Sequence, residues 1–448
     1  MTTIDSKIKT YTYQDGNIQK VQTVTLDSWD ELNFFNPTYC PDSFDKLCNL
    51  YQKYFVNRAP MIFGKMVVFR LPDDIEIPDS FTGEQYGTIY NRLTLVAIVF
   101  KKHIRVKNNK IIIEDKQTQQ FYQQLVERDC IRLICGKNPT VQILPVNQML
   151  GAMSQCHKDA KLKVNTSFFV MDCFDLGSIY DSIGTPVGLQ VKDGKILTPA
   201  LFDREVLTVD YNEQVDIKKI SLNDLTVIID GVNYKHNHNC TFYSRPQYKK
   251  TPKGGYDTVI IGKNIIAVKQ GGNCLIPSSG FVVHTENQLS PKSTDVEYGG
   301  LENYKFALQV GNSAIINNVK TEKFISPFHV FYKPFAISYP PAMYPLNYTK
   351  ARAPRIVLGC NQQNKPMILW FEGAGKFGYQ PKKESCGASL SEVSEICQDL
   401  GMKYGINLDG GGSAQILLDN SRQLKISDRD PVEYFETERA VPSGLIIY

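Results

Sequence analysis

The sequence feature that most constrains this chain is a run of three glycines between two apolar segments near its C-terminus. Residues 406–408 are apolar, the glycines at 410–412 follow Asp409, and residues 416–418 are apolar again. Glycine adopts positive φ and lets the backbone approach a neighbour closely, and successive N–H groups in such a turn can form an anion-binding nest. The pattern therefore predicts a tight loop between two buried strands, with a carboxylate at its mouth and the Ser413 hydroxyl beside it.

An Asp-Gly pair between apolar runs is also typical of an ordinary β-hairpin turn that carries no chemistry. The loop after Asp409 has three consecutive glycines, which is more than a two-residue turn needs. The glycine count therefore favours a ligand-binding loop, and a simple hairpin remains the alternative.

Length and composition exclude several classes of protein. The chain has 448 residues, which favours two domains, and its 42% hydrophobic and 21% charged residues are ordinary for a globular protein. A net charge of +4 is too small to indicate binding to nucleic acid or to a membrane surface. No apolar stretch is long enough for a membrane span, and residues 1–6 lack the apolar region of a signal peptide. We therefore expect an intracellular or particle-associated protein outside the secretory pathway.

Neither the cysteine spacing nor the spacing of possible oxygen ligands indicates a particular bound metal. The 11 cysteines show no repeated CxxC and no zinc-like spacing, which predicts reduced, mostly buried thiols. The sequence requires no cofactor, and it leaves a divalent cation open because no spacing is specific to Ca²⁺ or Mg²⁺.

The predicted pattern of secondary structure changes near residue 136. Residues 1–135 read as a smaller α+β module of unknown role, with helices predicted at 42–54 and 115–128 around strand-like runs at 66–69 and 93–100.

Residues 136–448 consist of many short strand-like segments separated by Gly, Asn and Pro turns. One amphipathic helix is predicted at 390–400, between Ser389 and Gly401, and it leads into the strand before Asp409. The predicted fold class is α+β, with a domain of mixed strands and few helices after the N-terminal module.

Two arginines, Arg352 and Arg355, lie beside a predicted strand and are separated by a proline. Guanidinium groups bind phosphate or carboxylate through paired donors, so two of them near an anion nest form a coherent phosphate site. The alternative for this segment is a pair of surface ion pairs.

The order of these motifs resembles that of the phosphodiester glycosidase family. The resemblance covers about residues 136–448, and the Leu-Asp-Gly-Gly-Gly-Ser at 408–413 is its most specific part. The other matching segments are residues 165–169, Pro186 with Gly188, and residues 193–194, 230–233, 276–280, 352–355 and 439–442.

The resemblance implies a hydrolase that cleaves the bond between a sugar's anomeric carbon and the phosphate of a sugar-1-phosphodiester, such as an N-acetylglucosamine-1-phosphodiester. Asp409 is the candidate general base or charge stabiliser, and Glu372 is the candidate second carboxylate. The candidate substrate-binding residues are Asn165 and Asn407 for sugar hydroxyls, Arg352, Arg355 and Arg439 for the phosphate, and Gly410, Gly411, Gly412 and Ser413 of the loop.

One departure from the family pattern favours a different function. The family's Asp-Gly-Arg reads Glu372, Gly373, Ala374 here, so an arginine is missing. A non-catalytic glycan or sugar-phosphate binding protein on the same fold is therefore the alternative, while the retained Arg352, Arg355, Asp409 and Arg439 favour the enzyme. The sugar, the aglycone and the oligomeric state are left open.

Overall fold

The computed structural model describes residues 3–37, 66–69, 85–90, 93–99, 104–107, 110–113, 153–169, 185–201, 204–245, 248–309, 313–316, 351–375, 378–429, 434–436, 438–439 and 441–448. Strands make up most of these residues, which confirms a strand-rich fold with few helices. The helices predicted at 42–54 and 115–128 lie outside the described residues, so the α+β character of the N-terminal module stays a prediction.

The strands before residue 225 include the runs predicted at 66–69 and 93–100. In chain order they are β1 (Ile4–Thr12), β2 (Ile18–Leu26), β3 (Asn33–Phe35), β4 (Met66–Phe69), β5 (Gln85–Tyr90), β6 (Leu93–Val99), β7 (Ile104–Lys107), β8 (Lys110–Ile113), β9 (Leu162–Asn165), β10 (Gln190–Lys192), β11 (Lys195–Thr198), β12 (Arg204–Asp210) and β13 (Val215–Ile220).

The later strands include both flanks of the glycine loop. They are β14 (Thr226–Ile229), β15 (Val232–Lys235), β16 (Cys240–Ser244), β17 (Lys253–Ile261), β18 (Asn264–Gly272), β19 (Gly280–Thr285), β20 (Val296–Gly299), β21 (Tyr304–Gln309), β22 (Ser313–Ile316), β23 (Arg355–Asn361), β24 (Pro366–Phe371), β25 (Met402–Asn407), β26 (Ile416–Leu418) and β27 (Gly444–Ile447). One α-helix, α1 (Leu390–Asp399), and single 3₁₀ turns at Met153–Gln155, Leu222–Asp224 and Gly411–Ser413 complete the described elements.

The site is organised by a six-stranded antiparallel sheet in the order β1-β2-β24-β23-β25-β22. Next to it lie a four-stranded sheet, β26-β9-β27-β3, and a five-stranded sheet, β11-β10-β21-β12-β13. The remaining sheets are β16-β19-β17-β18, β15-β14-β20, β4-β6-β5 and the pair β7-β8.

The first strands of the chain belong to these same sheets. β2 pairs with β24, from Val21 opposite Phe371 to Thr25 opposite Met367, and β3 pairs with β27. The boundary predicted at residue 135 itself stays a prediction, but residues 4–35 share sheets with strands from the region after it.

The six-stranded sheet is buried on both faces, which explains why β23 and β24 are almost continuously apolar. One face packs on the largest core cluster, to which β23 contributes Ile356 and Leu358 and β24 contributes Trp370. The other face packs on α1, through residues such as Val357 and Leu369.

Helix α1 begins and ends within one residue of the predicted segment 390–400. A capping box closes its first turn, because the Glu392 N–H donates to the Ser389 hydroxyl (3.3 Å) and the Ser389 N–H donates to the Glu392 carboxylate (2.8 Å). The six cysteines of the described segments are buried free thiols. No helix in these segments is long and apolar enough to cross a bilayer.

Candidate active site

The glycine loop carries the chain from one sheet to another. After β25, Leu408 N–H donates to Ile356 in the six-stranded sheet, and Asp409 N–H donates to Thr166 just beyond β9, both at 2.8 Å. The strand that leaves the loop, β26, belongs to the four-stranded sheet, so β25 and β26 do not pair with each other. The loop prediction is confirmed and the hairpin alternative is wrong.

Each of the three glycines is required for a different reason. A Cβ at Gly410 would lie 2.6 Å from the carbonyl oxygen of Pro354. Gly411 has φ +60°, a conformation that L side chains rarely adopt. A Cβ at Gly412 would overlap the carboxylate of Asp428 and the Nη2 atom of Arg439. The loop is therefore close-packed at Gly410 and Gly412, whereas Gly411 is required for its backbone conformation, since nothing lies within 4 Å of a Cβ there.

Asp409 is a buried carboxylic acid, with only 6% of its surface exposed. Burial raises the pKa of this carboxyl from 3.8 to about 7, against the opposing influences of the Ser413 hydroxyl, the Arg439 guanidinium and the Gly410 N–H. The Ser413 Oγ is fully buried, and it makes no hydrogen bond of standard geometry within the described residues. The loop thus presents an acid that changes charge near neutral pH and a hydroxyl beside it.

The Arg439 guanidinium lies near this acid and is paired with the carboxylate of Asp428. Arg439 Nε and Nη2 donate to the two oxygens of Asp428 at 3.0 and 3.2 Å, and both side chains are largely buried. The carbonyl oxygen of Arg439 accepts a long hydrogen bond of 3.5 Å from Gln415, which follows the loop. The guanidinium predicted to bind phosphate therefore lies at the loop.

The two asparagines of the candidate site hold backbone groups. Asn165 Nδ2 donates to the Asp409 carbonyl at 2.7 Å, and its Oδ1 accepts from the Gln415 N–H at 2.9 Å, so one side chain joins both ends of the loop. Asn407 Nδ2 donates to the Leu408 carbonyl at 3.0 Å. Both residues are almost fully buried, and their predicted contact with sugar hydroxyls stays a prediction.

The backbone of the loop offers fewer donors than three glycines suggest. The N–H groups of Gly411, Ser413 and Ala414 already donate to the carbonyl oxygens of Pro354, Gly410 and Gly411, at 3.0 to 3.2 Å. An anion at this loop would therefore depend more on a side-chain cation than on an open nest.

Arg352 lies at the same sheet edge but is engaged in ion pairs. Its guanidinium donates to Glu392 at 2.7 to 3.2 Å and to Asp15 at 2.6 Å, and it stacks over the Tyr13 ring at 4.0 Å. Two carboxylates oppose its single charge, which matches the ion-pair alternative that the sequence left open.

Arg355 begins β23 and is fully buried. Its Nε donates to the Ala388 carbonyl at 3.2 Å and its Nη2 to the Ala351 carbonyl at 3.1 Å. These contacts tie the start of β23 to the segment before α1, and the phosphate-binding role predicted for Arg355 stays a prediction.

Glu372 follows β24 and is also buried, with 5% of its surface exposed. One carboxylate oxygen accepts from the Ser385 hydroxyl, and the other accepts from the Lys425 N–H at 2.9 Å. Because β24 and β25 flank β23 on either side, Glu372 and Asp409 lie at the same edge of the sheet, with backbones about 10 Å apart.

Sequence reasoning missed Asp428, the acidic partner of Arg439. It lies in a charged stretch at 427–430 that could have marked it for attention, but no spacing links it to the glycine loop. It also missed Glu438, which pairs with Arg422 at 2.5 Å and accepts from the Ser154 N–H at 3.0 Å.

No group of three or more His, Cys, Asp or Glu side chains in the described part of the chain is arranged to hold a metal ion. The question of a divalent cation stays as open as the sequence left it.

Comparisons with known proteins match the C-terminal part of this chain to one family model. The model of the phosphodiester glycosidase family matches residues 248–448, a region that contains the glycine loop, Arg439 and Asp428. A search of curated proteins finds no match.

Two solved structures match this chain at low similarity. A hypothetical protein from Synechocystis has a TM-score of 0.38 and 12% identity, covering 100% of this chain and 81% of that one. The catalytic domain of zebrafish N-acetylglucosamine-1-phosphodiester alpha-N-acetylglucosaminidase, auto-inhibited by its pro-peptide, has a TM-score of 0.39 and 10% identity, covering 100% and 83%. The family model confirms the motif resemblance for residues 248–448, which carry the sequence pattern of the phosphodiester glycosidase family, and the resemblance of residues 136–247 stays a prediction.

Proposed function

We propose that this protein is a phosphodiester glycosidase that hydrolyses sugar-1-phosphodiesters to a free sugar and a phosphomonoester. The observation that carries the proposal is the buried Asp409 carboxyl, which lies near the Arg439 guanidinium at the glycine loop within the family-matched region. A group whose pKa is shifted by burial and by a specific neighbouring charge is a candidate for catalysis.

In the proposed reaction a water oxygen bonds to the anomeric carbon while the bond from that carbon to the phosphate oxygen breaks. The bonding electron pair leaves with the phosphate oxygen, and the water gives one proton to the ionised Asp409 carboxylate. A base whose pKa is near the working pH is well matched to this proton transfer. The phosphate is already a good leaving group, so the reaction does not require a second carboxyl group that protonates it as a general acid.

Arg439 is the proposed phosphate ligand, because a guanidinium beside the loop stabilises the negative charge that grows on the departing phosphate. The structure supports this role better for Arg439, whose Nη2 atom lies against Gly412 of the loop, than for Arg352, whose guanidinium pairs with Glu392 and Asp15.

The test is product release from a panel of sugar-1-phosphodiesters that includes an N-acetylglucosamine-1-phosphodiester and a nucleotide sugar. We expect the wild-type protein to release sugar from at least one member of the panel and Asp409→Asn to release far less. A folded Asp409→Asn protein with undiminished turnover would contradict the proposal.

A non-catalytic sugar-phosphate binding protein is the second candidate. It is favoured by the missing family arginine after Gly373 and by the engagement of Arg352 in protein ion pairs. Calorimetric binding of a panel member without any product release would establish this function in place of hydrolysis.

A further inference from the structure

Arg439 can act on Asp409 only while its guanidinium stays at the glycine loop. An arginine side chain has several rotatable bonds, and the loss of rotamer entropy opposes holding it in one place. Asp428 holds this guanidinium through two hydrogen bonds, from its Nε and Nη2 atoms. A paired contact of this kind fixes the plane of the guanidinium as well as its position.

The glycine loop is shaped around this ion pair. Gly412 lies so close to both partners that a methyl group there would overlap the Asp428 carboxylate and Arg439 Nη2. The segment that follows the loop is held at Gln415, because Arg422 donates to the Gln415 side-chain oxygen at 2.8 and 3.1 Å. Arg422 is itself paired with Glu438.

We infer that Asp428 is a positioning residue, which holds Arg439 against the glycine loop so that the guanidinium faces Asp409. The inference rests on the proposed function for the claim that Arg439 binds the substrate phosphate. The position of Arg439 itself can be tested without any substrate.

The experiment is an NMR titration of the Asp409 carboxyl in protein labelled with ¹³C at aspartate side chains, with Asp409→Asn to identify the signal. Among the described residues, the charged side chain whose field acts on this carboxyl is Arg439, and Arg439 is paired with Asp428. We compare wild type, Arg439→Gln, Asp428→Ala and the double variant. Loss of the guanidinium should raise the midpoint by about one pH unit, because an opposite charge nearby favours the ionised acid.

Asp428→Ala should raise the midpoint in the same direction, because Arg439 is then released from the loop. The double variant should match Arg439→Gln alone, since Asp428 acts through Arg439. Loss of the Asp428 negative charge without movement of Arg439 would instead lower the midpoint. An unchanged or lowered midpoint in Asp428→Ala, or additive shifts in the double variant, would overturn the inference.

The matched control is Glu384→Ala. Glu384 binds the next residue, Arg429, with a similar paired contact of 3.1 and 3.3 Å, but that pair packs against Gly375 and Gly378 instead of the glycine loop. The Asp409 midpoint should not move in this variant. A rise equal to that of Asp428→Ala would show general loosening of the segment and would overturn the inference.

If Asp428→Ala does not fold, Asp428→Asn keeps the side-chain volume and one acceptor and should raise the midpoint by a smaller amount. Where a substrate is found, the acid limb of kcat/KM should shift with the NMR midpoint, and Asp428→Ala should raise KM. Shifted titrations with no turnover of any substrate would support the positioning role and count against the proposed hydrolysis.

Discussion

Asp409 and Glu372 are two buried carboxylic acids at the same edge of one sheet, yet their surroundings differ. The Glu372 oxygens accept hydrogen bonds from the Ser385 hydroxyl and the Lys425 N–H, so this side chain ties three segments together. The Asp409 carboxyl faces a guanidinium on a glycine loop, and its pKa is raised to about 7. Burial therefore does not by itself identify a reactive acid. What separates the two is that the Glu372 carboxylate is hydrogen-bonded to two neighbouring segments, whereas the Asp409 carboxyl lies near a guanidinium on the glycine loop.

The largest expected difference between the two acids is in turnover. Asp409→Asn should lower kcat by about 10² to 10⁴-fold, which is the usual contribution of a general base. Glu372→Gln keeps the shape of the side chain, so we expect a fall of less than about 10-fold. Initial rates on the best substrate of the panel measure both. Equal losses in two folded variants would make Glu372 the second catalytic carboxylate.

The second expected effect is the pH dependence of the stability that Asp409 contributes. The folded-state pKa of Asp409 is about 7, above its value of 3.8 outside the fold, so the folded protein binds more protons between these limits. The stability of wild type relative to Asp409→Asn should therefore be greatest below about pH 4, fall by a few kcal/mol as the pH rises to about 7, and then level off. Urea unfolding of both proteins across this range provides the measurement, and a relative stability independent of pH would refute the buried-acid account.

At neutral pH, Glu372 should contribute more than Asp409 to the free energy of unfolding. Glu372→Ala leaves the Ser385 hydroxyl and the Lys425 N–H without their acceptor in a buried place, which should cost about 1–3 kcal/mol of unfolding free energy. Urea midpoints at neutral pH measure the loss. Asp409→Asn serves as the comparison, since it should not destabilise the protein at this pH. A larger loss for Asp409→Asn would reverse the comparison.

The smallest effect concerns Arg352. Its side chain is about a quarter exposed, and partly exposed ion pairs of this kind contribute less than about 1 kcal/mol. Arg352→Gln should therefore change stability little and leave KM unchanged, whereas Arg439→Gln should raise KM. A large rise in KM for Arg352→Gln would show that substrate displaces Glu392 or Asp15 from the guanidinium.

Local patterns in the sequence predicted the elements around the site. Helix α1 was predictable because Ser389 and Gly401 mark its ends and its apolar residues recur at helical spacing. The strands on either side of the glycines were predictable because each is a short apolar run beside a turn signal. These features depend on neighbouring residues, so a single sequence contains the information for them.

Contacts between distant segments were not predictable in the same way. The pairing of β2 with β24 joins residues about 350 positions apart, and no local pattern specifies which strands will meet. The same limit applies to Arg352, since Asp15 and Glu392 come from opposite ends of the chain. A guanidinium that suits a phosphate suits a carboxylate equally well, and only its neighbours decide between them.

The sequence by itself determined the strand-rich fold, the tight glycine loop and the family pattern that the comparison finds at residues 248–448. Residue type and spacing suffice for these, because glycine conformations and apolar runs act locally. Only the tertiary structure decided that Asp409 is buried beside Arg439, that Asp428 holds this arginine, and that Glu372 is hydrogen-bonded within the fold. The charge state of an acid depends on the solvent and charges that surround it, and those are set by segments that meet only when the chain folds.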